Sequence, residues 1–147
     1  MQTEFEFNFE TDATPDQVIA LMIDFSPNRP NNWPALSEKT FEVFRVGDTD
    51  ADISEGQDFP KLQATWHYDW STPGSVTLTV VDGDAIAAGS YMTLTATPTA
   101  AGGSSVHAIW DQTSKNAKGL LGVATMRLIG RRFLASYYKR VYDGLVG

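Results

Sequence analysis

The 147 residues are enough for one domain with a substantial core, and we expect a single domain over residues 1–147. The formal net charge of -7 disfavours nucleic acid as a partner, because binding to phosphates needs clustered Lys and Arg. There is no Cys, so disulfides and thiolate chemistry are excluded, and no apolar run approaches the ~20 residues that would span a bilayer. The N-terminus is acidic and unlike a signal peptide, and we therefore expect a cytoplasmic protein without integral membrane association.

The first elements along the chain are a strand and a short helix. Phe alternates with polar residues in "TEFEFNFE", which is typical of a half-buried strand. The segment "TPDQVIALMIDF" predicts a helix in which Thr14 is the N-cap, Pro15 takes the first position and Gln17 completes a capping box. Three prolines around "NNWP" then leave room for one more helical turn.

From about residue 41 to residue 113 the sequence predicts six strands in succession. Segments such as "FEVFRVG", "LQATWHYDWS" and "SVTLTVVDG" are joined by turns that are rich in Gly, Pro and Asp. With or without the N-terminal strand in the same layer, this pattern predicts an antiparallel sheet of six or seven strands.

The period of apolar residues changes to that of a helix after Lys118, and we expect one amphipathic helix over about 118–144. Seven of the 11 basic residues fall in the last 33 positions, which indicates either a solvated helix face or a surface for an anionic partner. The arc predicted to face the sheet contains Val123, Met126, Ile129, Phe133, Leu134, Tyr137 and Val141. The opposite arc contains Arg131, Arg132, Ala135, Lys139 and Asp143.

The chain resembles the START-like helix-grip superfamily, specifically its polyketide cyclase/dehydrase and lipid-transport branch. The resemblance is carried by "TPDQVIALMIDFSPNRPNNWP", by "GLLG" at the start of the last helix and by the order of elements. It implies an α+β fold in which a curved antiparallel sheet wraps around the long C-terminal helix, with two short helices after the first strand and a cavity between sheet and helix. Members bind or transform unrelated ligands, so the resemblance supplies no catalytic residues.

The stretch "WHYDW" raises the question of which face of its strand points inward. Trp66, Tyr68 and Trp70 alternate with His67 and Asp69. Burial of aromatic rings, at ~25 cal/mol per Å², favours the aromatic face inward. A two-residue hairpin at the following Pro-Gly would instead place His67 and Asp69 beside the apolar residues of the next strand, whereas a three-residue loop or a bulge would not. If the protein is an enzyme, His67, Asp69 and Tyr68 are the candidate acid/base residues.

We expect the cavity to bind a small hydrophobic or aromatic ligand, without a cofactor or a metal. A cyclase/dehydrase-type enzyme that transfers protons on a bound carbonyl compound is one alternative, and a non-catalytic interaction module that uses the basic helix face is another. The glycines of the last helix indicate either close helix–sheet packing or volume left for a ligand. Two His without Cys give no metal-ligand spacing, and the sequence defines no oligomeric state. The expected cavity residues are Trp66, Tyr68, Trp70, Met92, Trp110, Met126, Phe133 and Tyr137.

Overall fold

Seven antiparallel strands form one curved sheet in the computed structural model, which describes residues 1–58 and 61–146. The strands are β1 Gln2–Thr11, β2 Glu42–Val46, β3 Asp50–Asp58, β4 Lys61–Asp69, β5 Ser75–Gly83, β6 Tyr91–Pro98 and β7 Ser104–Thr113. Their order in the sheet is β1-β7-β6-β5-β4-β3-β2, so that β1 and β2 form the two edges. The predicted antiparallel sheet is confirmed, with seven strands.

In the described part of the chain three helices accompany the sheet: α1 Pro15–Met22, α2 Arg29–Asn32 and α3 Ala117–Val146. The capping box of α1 is confirmed, since the Thr14 hydroxyl accepts from the backbone N–H of Gln17 and the Gln17 side chain accepts from the backbone N–H of Thr14. The long helix begins one residue before and ends two residues after its predicted bounds.

The core lies between α3 and the inner face of the sheet, and α3 packs mainly against the edge strand β1. The three Phe residues of β1 point inward, as their alternation predicts. Phe5 stacks on Trp110 of β7 at a centroid distance of 4.9 Å, and Phe9 stacks on Tyr142 of α3 at 6.1 Å. Because α3 packs against β1 at one edge, it does not cover the inner face of β3, β4 and β5, and other elements cover that face.

The face of α3 that contacts the core contains five of the seven residues of the predicted arc, but it is rotated so that the other two are left out. The five are Val123, Met126, Leu134, Tyr137 and Val141. Ile129 and Phe133 were expected to face the sheet, but they are 52% and 51% exposed, so that part of the prediction is wrong. Ala135, expected on the opposite arc, is partly buried against the core. The physical reason is a close approach at Gly130, where an added Cβ would lie 2.5 Å from the ring of Phe5. A helical wheel based on apolar side chains cannot predict a packing contact made at a glycine.

The register between β4 and β5 answers the question of which face points inward. Tyr68 lies opposite Leu78 and Trp66 opposite Val80, and a register shift follows between Thr65 and Trp66. The last paired residues are Asp69 and Thr77, so the connection is longer than a two-residue hairpin. This parity places the aromatic residues of β4 beside the apolar residues of β5 on the inner face.

Candidate functional site

A cavity of about 290 Å³ lies between the sheet, the segment around α2 and α3. The strands β3 to β7 provide most of its wall, and the aliphatic side chains of Leu36, Leu62, Leu78 and Ile86 contribute apolar surface. Three of the four tryptophans line it. Its aromatic lining consists of Trp33, Trp66, Tyr68, Trp110, Tyr137 and Tyr138.

Five of the eight expected cavity residues line this space, namely Trp66, Tyr68, Met92, Trp110 and Tyr137.

The other three, Trp70, Met126 and Phe133, lie outside the lining, and this corrects the expectation. Trp70 follows the end of β4, and its ring lies 6.0 Å from that of Phe25. Met126 packs beside Gly130, and Phe133 is half exposed because α3 is rotated.

The polar part of the wall is a buried cluster formed by Arg29, Glu55 and Tyr68. The Arg29 Nε donates to Glu55 Oε2 at 3.0 Å, and its Nη2 donates to the Tyr68 hydroxyl at 2.8 Å. The Tyr68 hydroxyl in turn donates to Glu55 Oε1. Arg29 is 2% exposed, Glu55 7% and Tyr68 1%. All three line the cavity, so the cluster is its most strongly polar feature.

Arg29 also joins the helical segment to the sheet. Its Nη1 donates to the backbone carbonyls of Met22 at 2.8 Å and Asp24 at 3.1 Å, at the C-terminal end of α1 where helix carbonyls lack intrahelical partners. The guanidinium carbon lies 5.0 Å from the ring centroid of Phe25 and 5.2 Å from that of Tyr68. One side chain therefore joins the end of α1 and the start of α2 to the strands β3 and β4.

The electrostatics of the cluster favour a charged Arg29 beside a neutral Tyr68. Burial lowers the pKa of Arg29, but the negative charge of Glu55 and the hydrogen bonds with Glu55 and Tyr68 outweigh burial and hold that pKa above its ordinary value. Burial raises the pKa of the Tyr68 hydroxyl well above its usual ~10; Arg29 opposes this effect and Glu55 adds to it. The guanidinium charge is thus balanced by the Glu55 carboxylate, and Tyr68 contributes a neutral hydroxyl.

Sequence reasoning missed Arg29 and Glu55, although both left a signal. Glu55 follows Ala51 and Ile53 at a spacing of two, which puts a carboxylate on the apolar face of a strand. Arg29 is the only basic residue among the first 38 and sits between two prolines. A charged residue on a buried face needs a partner of opposite charge, and these two satisfy each other.

The pair His67 and Asp69 lies on the outer face of the sheet, away from the cavity. His67 Nδ1 is 2.8 Å from Asp52 Oδ1, and Asp69 accepts from the backbone N–H and the hydroxyl of Ser71. The hydrogen bond with His67 is the largest influence that lowers the pKa of Asp52. The three candidate acid/base residues are therefore divided between two faces, and only Tyr68 lines the cavity.

No family model matches the sequence, and no curated protein matches it. Solved structures are similar over nearly the whole chain. A START superfamily protein from Mycobacterium smegmatis has a TM-score of 0.74 at 11% identity, with 97% of this chain and 98% of that chain covered. An aromatase/cyclase from a Streptomyces species gives 0.74 at 14% identity, with 99% and 93% covered. A truncated norcoclaurine synthase from Thalictrum flavum gives 0.71 at 12% identity, with 99% and 94% covered.

These similarities establish the fold: the chain has the helix-grip fold of START-like proteins. The fold implied by the resemblance in sequence is thereby confirmed. Among the described residues, no three His, Asp or Glu side chains come together as a metal site. Within the same part of the chain, no helix has the length and apolarity to cross a bilayer.

Proposed function

We propose that the protein binds a small, largely apolar molecule with an aromatic ring in the cavity between the sheet and α3. The observation that carries the proposal is a cavity of about 290 Å³ whose wall is mostly aromatic and aliphatic, with one buried polar cluster. Ligand pockets commonly have volumes from ~300 Å³ upward with a few placed polar groups, so this one suits a ligand of one or two rings. A norcoclaurine synthase structure of the same fold contains dopamine and hydroxybenzaldehyde, which are small aromatic molecules.

The charge balance of the cluster favours a neutral ligand over a carboxylate. The positive charge of Arg29 is already matched by Glu55, so a second carboxylate would be repelled by the first. Arg29 has five N–H donors. Among the described residues, Glu55, Tyr68 and the two carbonyls at the end of α1 account for four of them. The remaining N–H on Nη2 suits a carbonyl or hydroxyl oxygen of the ligand.

Fluorescence titration tests the binding function, because Trp33, Trp66 and Trp110 line the cavity and report on its occupancy. We expect the neutral two-ring probe acetonaphthone to quench or shift their emission. Naphthol should compete with the probe more strongly than naphthoate. A protein whose emission is unchanged by the probe would contradict the proposal.

Matched variants locate the response. Ala64 lines the cavity, and Ala64→Phe should fill part of it and weaken probe binding at least about tenfold, the equivalent of ~1.4 kcal/mol. Ala88 is exposed, and Ala88→Phe should leave binding unchanged. His67→Ala should also leave it unchanged, since His67 lies on the outer face. Equal effects at Ala64 and Ala88 would place the probe outside the cavity.

A second candidate, a proton-transfer enzyme of the cyclase/dehydrase type, is favoured by the Arg29–Glu55–Tyr68 cluster. In such a reaction the Glu55 carboxylate takes a proton from the carbon beside a ligand carbonyl, and the free N–H of Arg29 stabilises the enolate oxygen that forms. The test is deuterium uptake from heavy water into the methyl group of acetonaphthone, followed by NMR. Glu55→Gln should abolish uptake while the ketone still binds, and His67→Ala should not. A bound ketone that exchanges no faster than free ketone leaves binding as the function.

A further inference from the structure

The side of α3 that faces away from the sheet is apolar where solvent would favour polar residues. Leu128 is 85% exposed and Leu121 is 72% exposed. Ile129 and Phe133 are about half exposed on the same side. At 1.5 Å per residue, these side chains extend over about 18 Å of helix. We define the outer face of α3 as Leu121, Leu128, Ile129, Arg132, Phe133 and Arg140.

The cations of α3 are divided between internal contacts and this outer face. The helix has six basic residues and a single acidic one, Asp143, although the whole chain carries -7. Among the described residues, four of the six have acceptors in the fold: Lys118 on Asp84, and Arg127, Arg131 and Lys139 on backbone carbonyls of β1. Within that same part of the chain, Arg132 and Arg140 have no hydrogen bond and no ion pair with a carboxylate. The outer face therefore combines exposed apolar side chains with two unpaired cations and no carboxylate.

We propose that the outer face of α3 docks on an anionic lipid surface. The apolar side chains would enter the boundary between headgroups and acyl chains, while Arg132 and Arg140 extend along it to lipid phosphates. A second copy of the chain fits less well, because pairing two outer faces brings the arginines of both together. The acidic remainder of the protein is repelled by the same membrane, so the charge distribution also sets the orientation.

The outer face is adjacent to the cavity. Phe133 stacks on Tyr137 at a centroid distance of 6.3 Å, and Tyr137 lines the cavity. A docked protein would therefore hold the α3 side of the cavity close to the lipid. Docking itself follows from the outer face alone and is independent of whether the cavity takes a ligand.

Co-sedimentation with vesicles tests the proposal on the intact protein. We expect binding to phosphatidylcholine vesicles that contain phosphatidylserine, weaker binding as salt is raised, and little binding to phosphatidylcholine alone. The double variant Arg132→Ala/Arg140→Ala should bind about 30-fold more weakly, since a cation near an anionic surface contributes ~1 kcal/mol. Leu128→Ser should weaken binding at least about tenfold.

Two control variants match the chemistry of the test variants. Phe44 on β2 is 54% exposed, close to Phe133 at 51%, so Phe44→Ser should bind like the unaltered protein and Phe133→Ser should not. Lys118 is paired with Asp84, and Lys118→Ala should change binding by less than about threefold. Folding of each variant is checked by its circular dichroism spectrum.

Three results would overturn docking on lipid. One is the absence of binding to phosphatidylserine vesicles. Another is binding that Leu128→Ser and the double arginine variant leave unchanged. The third is a dimer in sedimentation equilibrium that Leu128→Ser dissociates, because the outer face would then belong to a second copy of the chain.

Discussion

Replacing Arg29 by Met tests whether the buried cluster holds the helical segment on the sheet. The change keeps an unbranched side chain but removes the guanidinium, which is 2% exposed. Glu55 then remains buried at 7% exposure without its cation. The carbonyls of Met22 and Asp24 lose their donor as well.

The expected loss in the free energy of unfolding is about 3–5 kcal/mol. That is the usual cost of removing one partner of a buried ion pair, because the other charge is left without compensation. The double variant Arg29→Met/Glu55→Met removes both charges and should recover part of the loss. It should not recover all of it, since the two carbonyls and the Tyr68 hydroxyl still lack the donor that Arg29 provided.

Urea unfolding followed by circular dichroism measures both variants against Arg45→Met. Arg45 forms ion pairs with Asp50 and Asp52 on the surface, and its loss should have little effect on stability. A cost for Arg29→Met as small as that for Arg45→Met would refute the reasoning. So would a double variant that is less stable than Arg29→Met alone.

Three further predictions concern a glycine, the buried tyrosines and one aspartate. Gly130→Ala should lower the free energy of unfolding by about 1–3 kcal/mol, because the new Cβ overlaps the Phe5 ring. An added Cβ at Gly122 has nothing within 4 Å, so Gly122→Ala should raise the free energy of unfolding by up to ~1 kcal/mol. Urea unfolding measures both, and two changes in the same direction would contradict the packing. Burial raises the pKa of four tyrosines, in three of them strongly, so the stability that this provides is present below pH ~10 and is lost as pH rises through the folded-state pKa values. The three strongly shifted residues are Tyr68, Tyr138 and Tyr142. An absorbance titration should therefore show that tyrosines ionise at higher pH in the folded chain than in the unfolded chain, and coincident titration curves would contradict this. Burial raises the pKa of Asp143, but hydrogen bonds led by that from Thr11 outweigh it and lower the pKa overall. Asp143→Asn should therefore lower the free energy of unfolding by less than ~1 kcal/mol at neutral pH, and by progressively less as pH falls below ~4. A loss of stability that grows in acid would contradict the lowered pKa.

Most of the fold was predictable from the spacing of apolar residues and from interactions between residues close together in sequence. The strict alternation of Phe in β1 and the capping box at Thr14 each depend on neighbours in sequence, and both appear as expected. The orientation of α3 depends on a contact between Gly130 and Phe5, which are 125 positions apart. Apolar periodicity contains no information about that contact, and for this reason the predicted arc put Phe133 on the wrong side.

The cavity was predictable in part for the same reason. Alternation assigned Trp66 and Tyr68 to one face of a strand, and burial gave the face its direction. Alternation ends where the strand ends, so it did not place Trp70. The polar cluster needs Arg29 to meet Glu55 across 26 positions, and neither residue belongs to a motif. In the sequence, Arg29 and Glu55 stand out only as charged residues in segments that are otherwise predicted to be buried.

The cavity exists because one helix is too narrow for this sheet. Seven strands about 4.8 Å apart make a surface roughly 30 Å wide, whereas a helix with its side chains is about 10 Å across. Since α3 lies against β1, the segment around α2 has to cover the strands that remain, and Arg29 attaches that segment to β3 and β4. Stability and ligand binding are therefore linked through the same side chain. A substitution at Arg29 that leaves the protein folded should still change the shape of the cavity. A substitution at Arg45 should change neither the stability of the protein nor the shape of the cavity.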